Sequence, residues 1–145
     1  MYFRFSRKMI SLEIMYSDKM ATIQKSSSEK VSLQDDNDVS DKVFEYLEGN
    51  FVKKNDMEIE KISILLLSYT NHPKLPKGIQ CKNWEIKCES HPPYVTNLLE
   101  SIPLNSDFLK IESESYGTCR DLLNKWEEME QVKTAKEKCL NMEIH

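Results

Sequence analysis

Cys81, Cys88 and His91 lie closest together among the side chains that could do chemistry. Thiolates and imidazoles are zinc ligands, and a structural site needs four of them at regular spacing. Here the spacing is Cys-x6-Cys-x2-His, which matches no common zinc knuckle, and no paired fourth ligand follows. The reading is two half-buried thiols beside an exposed histidine, and no metal is expected. His72 and His91 each precede a proline and His145 ends the chain. None sits by a glycine-rich elbow that could expose a nucleophile. Three isolated glycines cannot build a phosphate-binding loop. The carboxylate pairs Glu112/Glu114 and Glu127/Glu128 read as solvated positions on helix faces. No enzyme activity and no cofactor are expected.

The elements that would position any site come next. The chain has 145 residues, room for one ordinary domain and a tail, and carries 20 basic against 24 acidic residues. That balance lacks the concentrated basic face a nucleic-acid binder uses to neutralise phosphates. Apolar residues make up 39% of it, below the usual share, so part of the chain is expected to lie outside any core. Four cysteines without a CxxC pair point to free thiols and a cytoplasmic location. No apolar run is long enough to span a bilayer. The basic start MYFRFSRKMISLEIMY is interrupted by Glu13 and reaches no small-residue cleavage site, so it fails as a signal peptide.

Residues 24–38, QKSSSEKVSLQDDND, are too polar to offset the entropy of ordering and read as a linker. Residues 1–38 form a flexible N-terminal arm on this reading, holding one short strand around Ile10, Leu12, Ile14 and Tyr16. The helical domain is then 39–145. Ser40 caps a helix over 41–52 with Val43, Phe44, Leu47 and Phe51 on one face. Ile59, Ile62 and Leu66 have helical spacing, so a second helix is expected there, although 62–69 also reads as a buried strand. Trp84, Ile86 and Cys88 alternate as a strand or connector would.

Pro92 and Pro93 suit a helix start, and Tyr94, Val95, Leu98, Leu99 and Ile102 give it an apolar stripe that Pro103 ends. Three further short helices are expected. One carries Phe108, Leu109 and Ile111, and the next Cys119, Leu122, Leu123, Trp126 and Met129. The last holds Val132, Ala135, Cys139 and Met142. The fold class is therefore mainly α, a short-helix antiparallel bundle, with a core of Leu98, Leu99, Ile102, Phe108, Ile111, Leu122, Leu123 and Trp126. The alternative is α+β, with a small sheet from 62–69 and 82–88.

The succession of Leu109, Ile111 and Glu112, then Leu122, Leu123 and Trp126, then Thr134 and Ala135 resembles the second half of a death domain. The resemblance covers about 94–143. It implies a non-catalytic protein-protein interaction adaptor in signalling, in apoptosis or innate immunity. Its partner would be another death-fold domain or a second copy. Such domains dock through patches of opposite charge. Seven acids between 105 and 130, with Glu112, Glu114, Asp121, Glu127 and Glu128 foremost and Arg120 beside them, would form one patch. Lys74, Lys77 and Lys82 would form the other. Outside that resemblance stand two further readings. One is a small helical structural protein or incomplete gene product without a death fold, and the other an α+β enzyme fragment.

Overall fold

In the computed structural model, residues 8–26, 30–54, 57–67, 73–89, 92–115 and 120–144 are described. Their strands are β1 (Lys8–Tyr16), β2 (Met20–Lys25), β3 (Lys30–Gln34), β4 (Met57–Leu66), β5 (Asn83–Cys88), β6 (Phe108–Ser115) and β7 (Glu137–Ile144). Their helices are α1 (Ser40–Leu47), which continues as a wider turn over Glu48–Val52, α2 (Pro93–Ser101), α3 (Arg120–Glu128) and α4 (Glu130–Lys133). All seven strands join one sheet in the order β3-β2-β1-β4-β5-β6-β7. The β1–β2 and β2–β3 pairs are antiparallel, and every pair from β1 through β4 to β7 is parallel.

One row of side chains accounts for most of the fold. Val31, Ile23, Ile14, Ile64, Ile86, Ile111 and Leu140 are successive register partners, one from each strand across the whole sheet. The five from Ile23 to Ile111 are buried, and the two at the edges are half-buried. Rows on either side repeat the pattern, with Leu12, Ile62, Trp84 and Leu109 in one and Tyr16, Leu66 and Cys88 in the other. Successive side chains of a strand point to opposite sides, so these rows lie on a single face.

Against that face pack Val43, Leu47 and Phe51 from α1 and its extension, and Val95, Leu98 and Leu99 from α2. Trp126 from α3 and Val132 from α4 complete the layer. The connection from β4 to β5 supplies Leu75 and Ile79 to the same cluster without any helix among its described residues. From β4 onward the central row recurs every 20–30 residues or so, the period of strand–helix solenoids. The loops entering neighbouring strands are hydrogen-bonded as well. Asp107 N–H donates to Lys82 O at 2.8 Å, and Lys136 N–H to Ser106 O at 2.8 Å.

The sheet overturns the expected helical bundle and, with it, the death-domain resemblance, because a death domain is all-helical. Strand makes up 43% and helix 29% of the described residues, an α/β composition. Segments expected as helices around Ile62, around Phe108 and Ile111, and around Cys139 and Met142 are β4, β6 and β7. The alternative strands at 62–69 and 82–88 do pair, as β4 and β5, but inside a seven-stranded sheet rather than a small one. The stretch expected to be an arm and linker contributes β1, β2 and β3. Helices do form at α1, α2 and α3, where proline and apolar spacing placed them. Ser40, however, is the first residue of α1 rather than its cap: Val39 holds the cap position without a side-chain cap bond, and Ser40 N–H donates to Asp38 Oδ1 at 2.9 Å.

Of the expected core, Leu98, Leu99, Ile102, Ile111 and Trp126 are buried. Leu122 and Leu123 are half-buried against the core. Phe108 is also half-buried, but the alternation of β6 turns it to the opposite side of the sheet from Leu109 and Ile111.

Candidate functional site

Burial of one face leaves the other to be accounted for. Parallel sheets are usually covered on both faces, because their crossovers place helices on each. Here the described helices pack on the face of the aliphatic rows, and the opposite face, bare of any described helix, carries polar and charged side chains.

Two rows on that bare face follow directly from the register. Lys30, Gln24, Glu13, Ser63, Glu85, Lys110 and Cys139 form the first. Met15, Leu65, Lys87, Glu112 and Asn141 run through the second. Charges of opposite sign alternate along and between the rows. Glu85 and Lys110 are direct neighbours, as are Lys87 and Glu112, an arrangement that stabilises a sheet face. Lys61 Nζ lies 2.9 Å from Glu85 Oε1, and Lys110 Nζ lies 2.9 Å from Glu112 Oε1. The hydrogen bond from Lys110 holds the Glu112 carboxyl below its ordinary pKa, and the same bond raises the Lys110 ammonium. Both groups keep their charge at neutral pH.

Inside this lattice is an apolar spot. Met15 and Leu65 are register partners on adjacent parallel strands, and both are half-buried. Around them runs a depression of about 440 Å³ whose walls include Glu13, Thr22, Lys61, Glu85, Lys87 and Glu112.

The residues expected to form two charged patches do not converge. Glu112 and Glu114 stand on the bare face of β6. Asp121, Glu127 and Glu128 are exposed on α3, in the helical layer on the other side. Arg120 begins α3, and its side chain lies outside the described residues. Lys74 belongs to the β4–β5 connection, 3.4 Å from Asp41 of α1 and over the Phe44 ring at 5.5 Å. Lys77 is exposed in the same connection, and Lys82 sits at the entrance to β5, where its carbonyl accepts from Asp107 and Phe108. Of the expected interaction residues whose side chains are described, only Glu112 lines the depression. Glu13, Lys61, Glu85 and Lys110 were missed, although period-2 alternation in β5 and β6 was a signal that could have found Glu85 and Lys110.

Among the described residues the thiols are not assembled for chemistry. Cys81 is buried, its Sγ 3.2 Å from the Asn83 carbonyl, and burial pushes its pKa to about 11, so it stays protonated. Cys88 is buried in β5, and His91 and Cys119 lie outside the described residues. Among the described residues no group of three or more His, Cys, Asp or Glu side chains could hold a metal ion. Likewise, no described helix is long and apolar enough to cross a membrane.

No protein-family model matches the chain, and no curated protein or solved structure matches it either.

Proposed function

We propose that this chain is a non-catalytic protein-binding module whose bare sheet face is the docking surface. The observation that carries the reading is the Met15–Leu65 pair, an apolar contact point ringed by lysines and carboxylates on the parallel part of a sheet face that no described helix covers. Protein interfaces have that anatomy, with an apolar centre and a polar rim. The partner suited to it is a protein segment that brings one large apolar side chain and charges of both signs. The rim offers Lys61, Lys87 and Lys110 against Glu13, Glu85 and Glu112. Rim charges of this kind set partner choice and encounter rate, and buried anchors set affinity.

Supporting a recognition role, Lys110 and Glu112 each hold their charge firmly, whereas a proton-transfer group works with a pKa near the ambient pH. Mixed charge on the face suits protein better than a polyanion, so nucleic acid is not the proposed ligand. Cys81 and Cys139, both free thiols, fit a reducing compartment, which favours the cytoplasm.

The test is a paired substitution. Leu65→Arg places a charge on the apolar spot, and the double variant Glu127→Arg/Glu128→Arg changes the helical side. A partner recovered with the wild-type chain and then purified should lose at least tenfold in affinity for the first variant and keep its affinity for the second. The reverse pattern, with both variants folded by circular dichroism, would move the docking surface to α3.

A further inference from the structure

The two edges of the sheet are finished differently. β3 is short at five residues, α1 lies beside it, and Lys42 of α1 donates to the carbonyl of Gln34 at its end. β7 runs for eight residues, and among the described residues it pairs with β6 alone. Its core-side residues Leu140 and Met142 are only half-buried, though their counterparts in β5, Ile86 and Cys88, are 1% and 0% exposed. An uncapped edge with unfinished apolar rows is a template for another strand.

We infer that the occupant is a second copy of this chain, joined β7 to β7 in antiparallel fashion about a two-fold axis at Asn141. The strand's own sequence favours this occupant. With Asn141 opposite Asn141, Leu140 of each copy faces Met142 of the other, so the half-covered apolar row closes on itself. Sliding the axis to Leu140 opposes Glu137 to Glu143, and sliding it to Cys139 opposes Lys138 to Leu140. Like charges directly opposite one another destabilise a pair, and the Cys139 axis leaves no apolar pair within the strand, whereas the Asn141 axis keeps Leu140 against Met142 and sets Lys138 against Ile144 only at the ends of the ladder. A two-fold contact also uses both free edges at once, whereas parallel addition would be head-to-tail and open-ended. The product is one sheet of two copies, ending on both sides in the shielded β3 edge.

Sedimentation of the full chain tests the association, and cross-linking tests the register. The contact is small, so the mass should rise from monomer towards dimer only as concentration approaches about 100 μM. In a Cys139→Ser background, Asn141→Cys should form a disulfide-linked dimer under mild oxidation, mapped by mass to position 141. Glu137→Cys in the same background should not, because the two-fold separates its copies. Both positions are exposed, so neither variant depends on repacking the core. Leu140→Lys should abolish the dimer with an unchanged far-ultraviolet spectrum. A strict monomer at every concentration, equal cross-linking at 137 and 141, or an open-ended series of larger species would each overturn the inference.

Discussion

The indole N–H of Trp126 donates to Thr96 Oγ1 at 2.9 Å, and this buried bond ties α3 to α2 above the sheet. The indole fixes the position of the last helix pair, and so of the turn that feeds β7. Thr96→Val keeps the shape and removes the acceptor, leaving a buried N–H unpaired at a cost of about 1–3 kcal/mol. Urea denaturation should show that loss, and Thr96→Ser should recover most of it. If Thr96→Val is as stable as the wild type, the two helices do not meet this way.

Ile86 is a buried member of the row that crosses all seven strands, next to the central Ile64, while its neighbour Glu85 stands on the bare face. Ile86→Ala should destabilise by about 2–5 kcal/mol through lost burial and the cavity it leaves. Glu85→Ala should cost under about 1 kcal/mol, since exposed ion pairs contribute little. Equal effects in equilibrium unfolding would contradict the assignment of faces.

Gly78 has φ +102°, and a Cβ there would stand 3.2 Å from Val52 Cγ1. Gly78→Ala is therefore both strained and crowded, and should cost about 1–3 kcal/mol. Adding Val52→Ala should relieve the crowding but not the backbone strain. Thermal unfolding of the single and double variants separates the two contributions.

Cys81 gives a pH dependence of definite sign. Its folded-state pKa is raised from 9.0 to about 11 by burial, so the native state holds the thiol proton where the unfolded chain releases it. The stabilisation is complete below about pH 9 and is lost as pH rises towards 11. Comparing wild type with Cys81→Ala between pH 8 and 11 isolates it from other titrating groups. The stability difference between them should narrow with rising pH, and a constant difference would show that Cys81 titrates alike in both states.

The helices were legible because their signals are local. The prolines at 92 and 93 start α2 and Ile102 turns extended before Pro103, while Trp126 and its apolar neighbours mark α3. The strands were hidden for identifiable reasons. A bulge in β4 shifts the register between Ile10 and Ser11, whose partners are Ile59 and Lys61. Glu60 is the extra residue, so Ile59 and Ile62 share a face three positions apart and mimic a helix. In β6 the alternation of Leu109 and Ile111 with Lys110 and Glu112 was present, but Phe108 on the bare face added an apolar residue out of phase. Val31 and Leu33 looked like interruptions in a linker because an edge strand buries its apolar side only halfway. The candidate site was illegible for a further reason. Its rows bring Glu13, Glu85 and Lys110 together through strand pairing, and nothing in the local sequence of any one strand specifies its neighbour.

The bare face is tested most directly by thiol labelling of two adjacent positions in β5. Lys87→Cys puts a thiol on the open side beside native Cys88, which is fully buried in the same strand. In the folded variant, mapped by mass spectrometry, the introduced thiol should react with a maleimide at least a hundredfold faster than Cys88. Similar slow rates at both positions would mean that a second layer covers the sheet and that no docking face is exposed.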